Sequence, residues 1–391
     1  MKILFYADTV FGFGGVQRVL SEIAKKLSDK HQVTILTTES VSNLTMYGYQ
    51  QSSIRFLHID YPDRRHLEYY GCKAISMLYK KVLPHNRWSV RIYAFSFFRP
   101  SYKRSLTRII NEGKYDVVIG VHAFFSLHLA SVRHRLSAPV VIGWMHNSFD
   151  ALFTKKNPYL PDLRYFFSQI MKKLNRLVVL THADALRYRE EMGMECQVIY
   201  NPLTLIPEGK ATFDSHRLLS IGRFVPRHKG FDVLIEAFAR FAPLHPEWTL
   251  HLVGEGPEKA SVRQLISDRG LTERVYIHPF TQHIQQHYAS ASIYVLSSRW
   301  EGQPLVLFEA LAHGLPVVAS DIPVALELLS GQGICHFFHS EDAEGLAMAL
   351  DKAVHEVDWE ERSTKAQTYA SLFTTESVCS QWENLFVTCK T

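Results

Sequence analysis

In "SSRWEGQPLVLFEALAHGLPVVASD", residues 297–321, Glu301 stands in a polar loop and Glu309 among almost nothing but apolar residues. Proline belongs at the first position of a helix, so Pro304 predicts a helix running to about His313. Leu305, Val306, Leu307, Phe308, Ala310, Leu311 and Ala312 make that helix apolar around nearly its whole circumference, and such helices are buried. A carboxylate inside one is costly without hydrogen-bond donors. The hydroxyls of a ligand are one source of donors, and a basic partner within the protein is the other. Ahead of Glu309, Glu301 and Gly302 precede the helix start, where the unpaired N–H groups around Gln303, Pro304, Leu305 and Val306 favour an anion. Two carboxylates for hydroxyls beside a helix end for phosphate describe a pocket for a nucleotide-sugar.

A second set of groups lies in "SIGRFVPRHKGFDVLIEAF", residues 220–238. An apolar strand ends at Gly222, Arg223 follows, and Lys229 and Gly230 precede an amphipathic helix. Two cations around a strand-to-helix loop suit a diphosphate, and a leaving diphosphate needs still more positive charge as its bond breaks. Arg227 and His228 read as ordinary surface residues. Near the N-terminus, Gly14 and Gly15 in "GFGGVQRV" (12–19) join the first strand to the first helix, where bare backbone and free N–H groups admit an anion. A dinucleotide fingerprint requires glycine where Gln17 stands, although Glu39 ends the second strand as a ribose-binding acid would. His146, at the end of "PVVIGWMH" (139–146), is placed to bond a sugar hydroxyl or handle a proton, or is one more structural histidine among 20.

These residues need a scaffold that gathers strand ends. Short continuous apolar runs predict strands at 2–8, 32–39, 54–59, 115–122, 139–146, 176–181 and 197–200, with helical patterns between several of them. A second series follows at 217–224, 248–256, 274–280, 292–298, 315–321 and 333–338. The alternation implies two doubly wound α/β domains. The aperiodic stretch 201–216 is the candidate linker, which sets an N-terminal domain at 1–200 and a C-terminal domain at 201–372. The last stretch, 373–391, reads as an amphipathic helix that packs back on the first domain.

The chain has 391 residues, 47% of them hydrophobic and 21% charged, with a formal net charge of +5. That balance suits anionic small molecules or surfaces and is not the strongly basic signature of a dedicated nucleic-acid binder. Five scattered cysteines without a CxxC pattern predict free thiols in a reducing compartment and no zinc site. No leader or long apolar run is legible, so the expected location is the cytoplasm. Residues 69–111 contain no Asp or Glu but nine Lys or Arg, interleaved with aromatics. Three readings stay open for that segment: a helical pair with core aromatics and solvated cations, a contact with an anionic membrane or acceptor through 72–108, or single-stranded nucleic acid.

Taken together, "GRFVPRHKG" and "EGQPLVLFEALAHGLPVVASD" resemble the retaining glycosyltransferases of family 4, which have the GT-B fold of two Rossmann-like domains facing across a cleft. Glu301 and Glu309 match that family's Glu-(seven residues)-Glu signature. The resemblance implies that Glu309 holds the donor ribose, Glu301 holds the transferred sugar, and Arg223 and Lys229 grip the diphosphate in place of a metal. It also implies that His146 touches the donor sugar and that Gly14 and Gly15 let the first domain approach it. Gly222, Gly302, Gln303, Pro304, Leu305 and Val306 fall among the donor-binding positions. The implied partners are a UDP-sugar donor and a glycan or lipid-linked acceptor, with no cofactor, no metal and no nucleic acid. The setting would be bacterial lipopolysaccharide or cell-surface polysaccharide synthesis at the inner face of the plasma membrane. "HPFTQ" (278–282) departs from the family pattern, with Pro279 where glycine is frequent near the base. An NAD-dependent dehydrogenase, an inactive nucleotide-sugar-binding protein and a nucleotide-sugar epimerase are the competing readings.

Overall fold

Segments such as Val117–Val121 and Val140–Trp144 carry no charged side chain, so a strand made of them has two faces to hide. In the computed structural model, which describes residues 1–41, 43–60, 67–225 and 227–390, both are buried along their whole length. Seven strands build the first sheet: β1 (Lys2–Ala7), β2 (Gln32–Thr37), β3 (Arg55–His58), β4 (Val117–Val121), β5 (Val140–Trp144), β6 (Arg176–Val179) and β7 (Gln197–Val198). Six build the second: β8 (Arg217–Ile221), β9 (Thr249–Val253), β10 (Val275–His278), β11 (Ile293–Leu296), β12 (Val317–Ser320) and β13 (Cys335–Phe338). All thirteen fall within the expected segments. Their ends fall short, mostly at the carboxyl side, because those residues leave the ladder to form the loops that carry the polar groups.

Every pairing in both sheets is parallel, so all carboxyl ends of a sheet lie along one edge. The strand order is β3-β2-β1-β4-β5-β6-β7 in the first and β10-β9-β8-β11-β12-β13 in the second. Each order reverses direction once, between β1 and β4 and between β8 and β11. At such a switch point the two neighbouring loops diverge to opposite faces and leave a crevice for a ligand. The loops singled out from the sequence follow β1, β8 and β11.

The described residues form two compact units, Met1–Pro202 with the C-terminal stretch from Thr375, and Leu203–Thr374. Within the first unit, the helix Thr375–Thr388 lies against the helix Gly15–Ser28. Glu376 pairs with Lys26 at 3.0 Å, while Glu383 accepts from Lys30 at 3.1 Å and His31 at 3.0 Å. Beneath these contacts Trp382 is fully buried and meets Trp144 of β5 edge-on at 5.0 Å. All five cysteines are free thiols. Among the described residues no helix is long and apolar enough to cross a membrane.

Because Trp382 is completely enclosed, Trp382→Ala should destabilise the first unit by about 3–5 kcal/mol. Urea denaturation followed by fluorescence checks this; a change under about 1 kcal/mol would show that the helix is not integral to that unit.

Candidate functional site

The loop after β8 begins at Gly222, where a Cβ would lie 2.9–3.0 Å from the aliphatic chain of Lys229. With only hydrogen there, Lys229 folds back over the backbone and points its ammonium toward the loop after β11. Gly230 closes the same loop in the left-handed region, at φ 65°. A Cβ on Gly230 would come within 2.0 Å of the Ser297 carbonyl oxygen. Ser297 Oγ donates to the Lys229 carbonyl at 2.8 Å, so the two loops are held together at the switch point. Arg299 reinforces them. Its guanidinium binds both oxygens of Asp232, at 2.9 and 2.7 Å, and reaches Glu341 at 2.6 Å.

Glu301 is the product of this docking. Its Oε1 accepts from Lys229 Nζ at 2.6 Å and from Ser298 Oγ at 2.7 Å. His228 Nε2 stands 3.6 Å from Oε2, with its ring stacked on Trp300 at 4.9 Å. Burial pushes the carboxyl pKa upward, but the Lys229 ammonium and His228 outweigh it and hold the group at about 2. Glu301 is therefore a carboxylate at any physiological pH. His228 thus belongs to the cluster and is not the bland surface residue expected from the sequence. Its place beside Lys229 was the available signal. Arg223 is exposed at the start of the loop, as is Arg227 further along it, and Pro226 of the same motif lies outside the described residues.

The helix after β11 spans Leu305–Ala312, one residue shorter at its start than the sequence implied. Pro304 is its N-cap, with extended backbone at ψ 107°, and not its first helical residue. Lacking an N–H, Pro304 cannot serve an anion, so Leu305 and Val306 head the helix with the first-turn amides. Gln303 is nearly buried beside it and Gly302 partly so. Glu309, at 1% exposure, accepts a hydrogen bond from the Tyr288 hydroxyl at 2.7 Å. A neutral donor thus serves this carboxylate, and not only the basic partner or ligand considered from the sequence. Tyr288 stacks on His313, whose Nδ1 donates to the Glu309 carbonyl at 2.7 Å.

In the first unit, Gly14 caps the helix Gly15–Ser28 with extended backbone and no side-chain cap. Gln17 turns back and donates to Thr9 Oγ1 at 2.7 Å. Glu39 is not presented to a ribose: its Oε2 accepts from the Val10 and Phe11 amides at 2.8 and 3.0 Å and secures the turn. That use of Glu39 removes the main support for a dinucleotide site. His146 follows β5, is 7% exposed, and its Nε2 has no hydrogen-bond partner among the described residues. Burial, with help from His122, holds the imidazole well below its ordinary pKa, so it is neutral at pH 7.

His122 went unnoticed in the sequence. It follows β4 at the switch point with φ 81° and ψ 157°, a conformation otherwise reserved for glycine that costs about 1–3 kcal/mol. Asn147 Nδ2 donates to its Nε2 at 2.8 Å. Nothing in "YDVVIGVH" announces a strained backbone, because strain is imposed from outside the segment. The second unit also brings together His245, Asp351 and His355 with ligand atoms within 4.8 Å. Hydrogen bonds inside that group account for it, His245 donating to Asp351 at 2.9 Å and His355 to the Asp351 carbonyl at 2.8 Å.

Two parallel α/β sheets, each with polar loops at its switch point, define a protein of the GT-B fold. Anabaena HepE, solved with UDP and glucose, superposes with a TM-score of 0.75 at 19% identity over 99% of both chains. The family profile Glycosyltransferase Family 4 matches residues 13–205, and Glycosyl transferases group 1 matches 215–356. The chain belongs to the family 4 glycosyltransferases. Among its relatives, an uncharacterized glycosyltransferase of Haemophilus influenzae is 27% identical over 73% of this chain and 80% of its own length. The lipopolysaccharide 1,6-galactosyltransferase of Escherichia coli K12 is 22% identical over 90% of this chain and 89% of its own.

Two variants test the docking of the loops. Gly230→Ala meets both an unfavourable φ and a backbone oxygen, so it should cost about 2 kcal/mol or more, read as a fall in melting temperature. An unchanged melting temperature would show that the loops are not held as described. Lys229→Met removes the cation that keeps Glu301 charged, so the Glu301 pKa should rise. The wild-type carboxyl is depressed, so its contribution is complete above the ordinary value of 4.5 and fades as pH falls toward about 2. The stability gap between variant and wild type should therefore be widest at pH 7 and narrow below about pH 4.5. A gap that stays constant with pH would mean that Lys229 does not set the charge on Glu301.

Proposed function

We propose that the chain transfers a hexose-type sugar from a nucleoside-diphosphate sugar, a UDP-sugar in first place, to a hydroxyl of a glycan or lipid-linked acceptor, with retained anomeric configuration and without a metal. The reading fits bacterial lipopolysaccharide or cell-surface polysaccharide synthesis, with the protein acting in the cytoplasm at the inner membrane face. The observation that carries it is the pairing, at one switch point, of cations after β8 with two carboxylates and a helix start after β11. UDP is supported by the fold's likeness to HepE, and the acceptor class by the likeness to a lipopolysaccharide galactosyltransferase.

The residues divide the work by charge. Arg223 and Lys229 meet the diphosphate, and the Leu305 and Val306 amides add partial positive charge at the helix start. Lys229 is already paired with Glu301, so a diphosphate draws on a cation whose position is set before it arrives. Glu309 accepts from ribose hydroxyls, with Tyr288 fixing one of its oxygens. Glu301 accepts from hydroxyls of the sugar. Retention then follows when the acceptor oxygen forms its bond to the anomeric carbon on the face from which the diphosphate departs. The departing phosphate oxygen takes the acceptor's proton. His146 and His122 offer neutral imidazoles to sugar hydroxyls, and Gly14 and Gly15 add no side chains of their own to the turn after β1, which Tyr47 and Gln17 line.

Purified protein given UDP-glucose, UDP-galactose or UDP-N-acetylglucosamine should release UDP slowly without acceptor and faster with a lipid-linked or lipopolysaccharide acceptor, with or without EDTA. Lys229→Ala should lower turnover by about 10²–10³-fold. Near-normal turnover in that variant would remove the diphosphate role, and complete loss with EDTA would remove the metal-free mechanism.

A further inference from the structure

The acid-free segment, 69–111, lies in a pair of helices, Leu67–Lys81 and Arg87–Ser96, followed by a third, Pro100–Gly113, whose only acidic residues are Glu68 and Glu112 near the two outer ends. The pair has two apolar stripes and needs only one for its own packing. Tyr79 and Tyr93 are buried, stack on each other at 4.3 Å, and both pack on Phe166. They define the inward face of each helix. On the first helix, Tyr70, Ala74, Met77, Leu78 and Lys81 recur at spacings of three, four, seven and eight, which places them opposite Tyr79. On the second, Trp88, Ile92 and Phe95 recur at four and seven, opposite Val90 and Tyr93. Because both inward tyrosines meet Phe166, both opposite faces turn outward.

Tyr70, Met77, Leu78, Trp88 and Phe95 each leave between 45 and 61% of their surface to solvent. Single exposed apolar residues are ordinary, but two stripes at helical spacing on adjoining helices are not. The stripes carry their own cations, Lys73, Lys80, Lys81, Arg87 and Arg91, and no Asp or Glu occurs from 69 to 111. The core of a protein–protein interface is depleted of lysine, whereas a helix lying in a headgroup layer sinks its aromatics and keeps its cations at the phosphates. The second helix is firmly ended: Lys103 Nζ donates to the Ala94 and Phe95 carbonyls at 2.5 and 2.7 Å, which fixes the backbone that presents Phe95.

We propose that the outward faces of the helices Leu67–Lys81 and Arg87–Ser96 form a docking surface for an anionic phospholipid bilayer. This deepens the reading of a lipid-linked acceptor, yet the test requires neither donor nor acceptor. The full chain is sedimented with vesicles of phosphatidylcholine, alone or mixed with phosphatidylglycerol. It should pellet with the mixed vesicles and be released by salt. Met77→Ser with Trp88→Ser, and separately Lys81→Gln with Arg91→Gln, should each lower the partition coefficient about tenfold or more. All four side chains are exposed, so circular dichroism and melting should match the wild type and confirm that folding is intact. Failure of the wild type to pellet, equal binding to neutral vesicles, or undiminished binding by both variants would overturn the proposal. So would a single-stranded oligonucleotide that strips the protein from the vesicles. A chain that releases UDP but ignores vesicles sinks the docking surface and leaves the transferase reading standing; the opposite result does the reverse.

Discussion

A carboxylate stays charged inside a folded domain only where a cation and hydrogen-bond donors are brought to it and held. Glu301 meets that condition through Lys229, Ser298 and His228, and much of the local architecture of the second unit serves to deliver them. Gly222 makes room for the Lys229 chain, Gly230 lets the loop approach Ser297, and Arg299 ties the loops to Asp232 and Glu341. The ion pair is thus the outcome of backbone approach distances that two glycines permit. A charged pair already in place needs little reorganisation when a second anion arrives.

The parallel sheet supplies the frame for that approach. Helical crossovers send every strand in the same direction, so the chain's polar turns collect along the carboxyl edge of each sheet. At the switch points the turns after β1 and β4, and those after β8 and β11, are neighbours in space although far apart in sequence. The two units use that geometry differently. The second gathers charge, with Lys229, Glu301 and the helix start at Leu305. The first gathers neutral hydrogen-bonding groups, with His122 and Asn147; His146, at the same edge, is kept neutral by burial.

Much of this was legible beforehand because it is written in local pattern. Continuous apolar runs marked the strands, and an apolar helix interrupted by Glu309 marked a buried carboxylate. What was missed depends on neighbours that the local pattern does not contain. Glu39 stood where the competing dehydrogenase reading would put a ribose ligand, but the Val10 and Phe11 amides claim it. His228 read as surface, but the stack with Trp300 brings it to Glu301. Pro304 read as the first helical residue; the loop before it holds it extended. The basic aromatic segment was ambiguous because composition does not say which face of a helix is covered. Tyr79 and Tyr93 turned inward, Trp88 and Phe95 outward.

By itself the sequence determined the class of fold, the order of its elements and the kind of chemistry available, since periodicity and residue type act over a few neighbours along the chain. Only the tertiary structure decided which charges meet, which histidines are kept neutral and which apolar stripe is left uncovered. Those properties arise from distances between residues far apart in sequence: Lys229 to Glu301, Asn147 to His122, Tyr79 to Phe166. Electrostatics and burial are functions of such distances, and no stretch of sequence contains them.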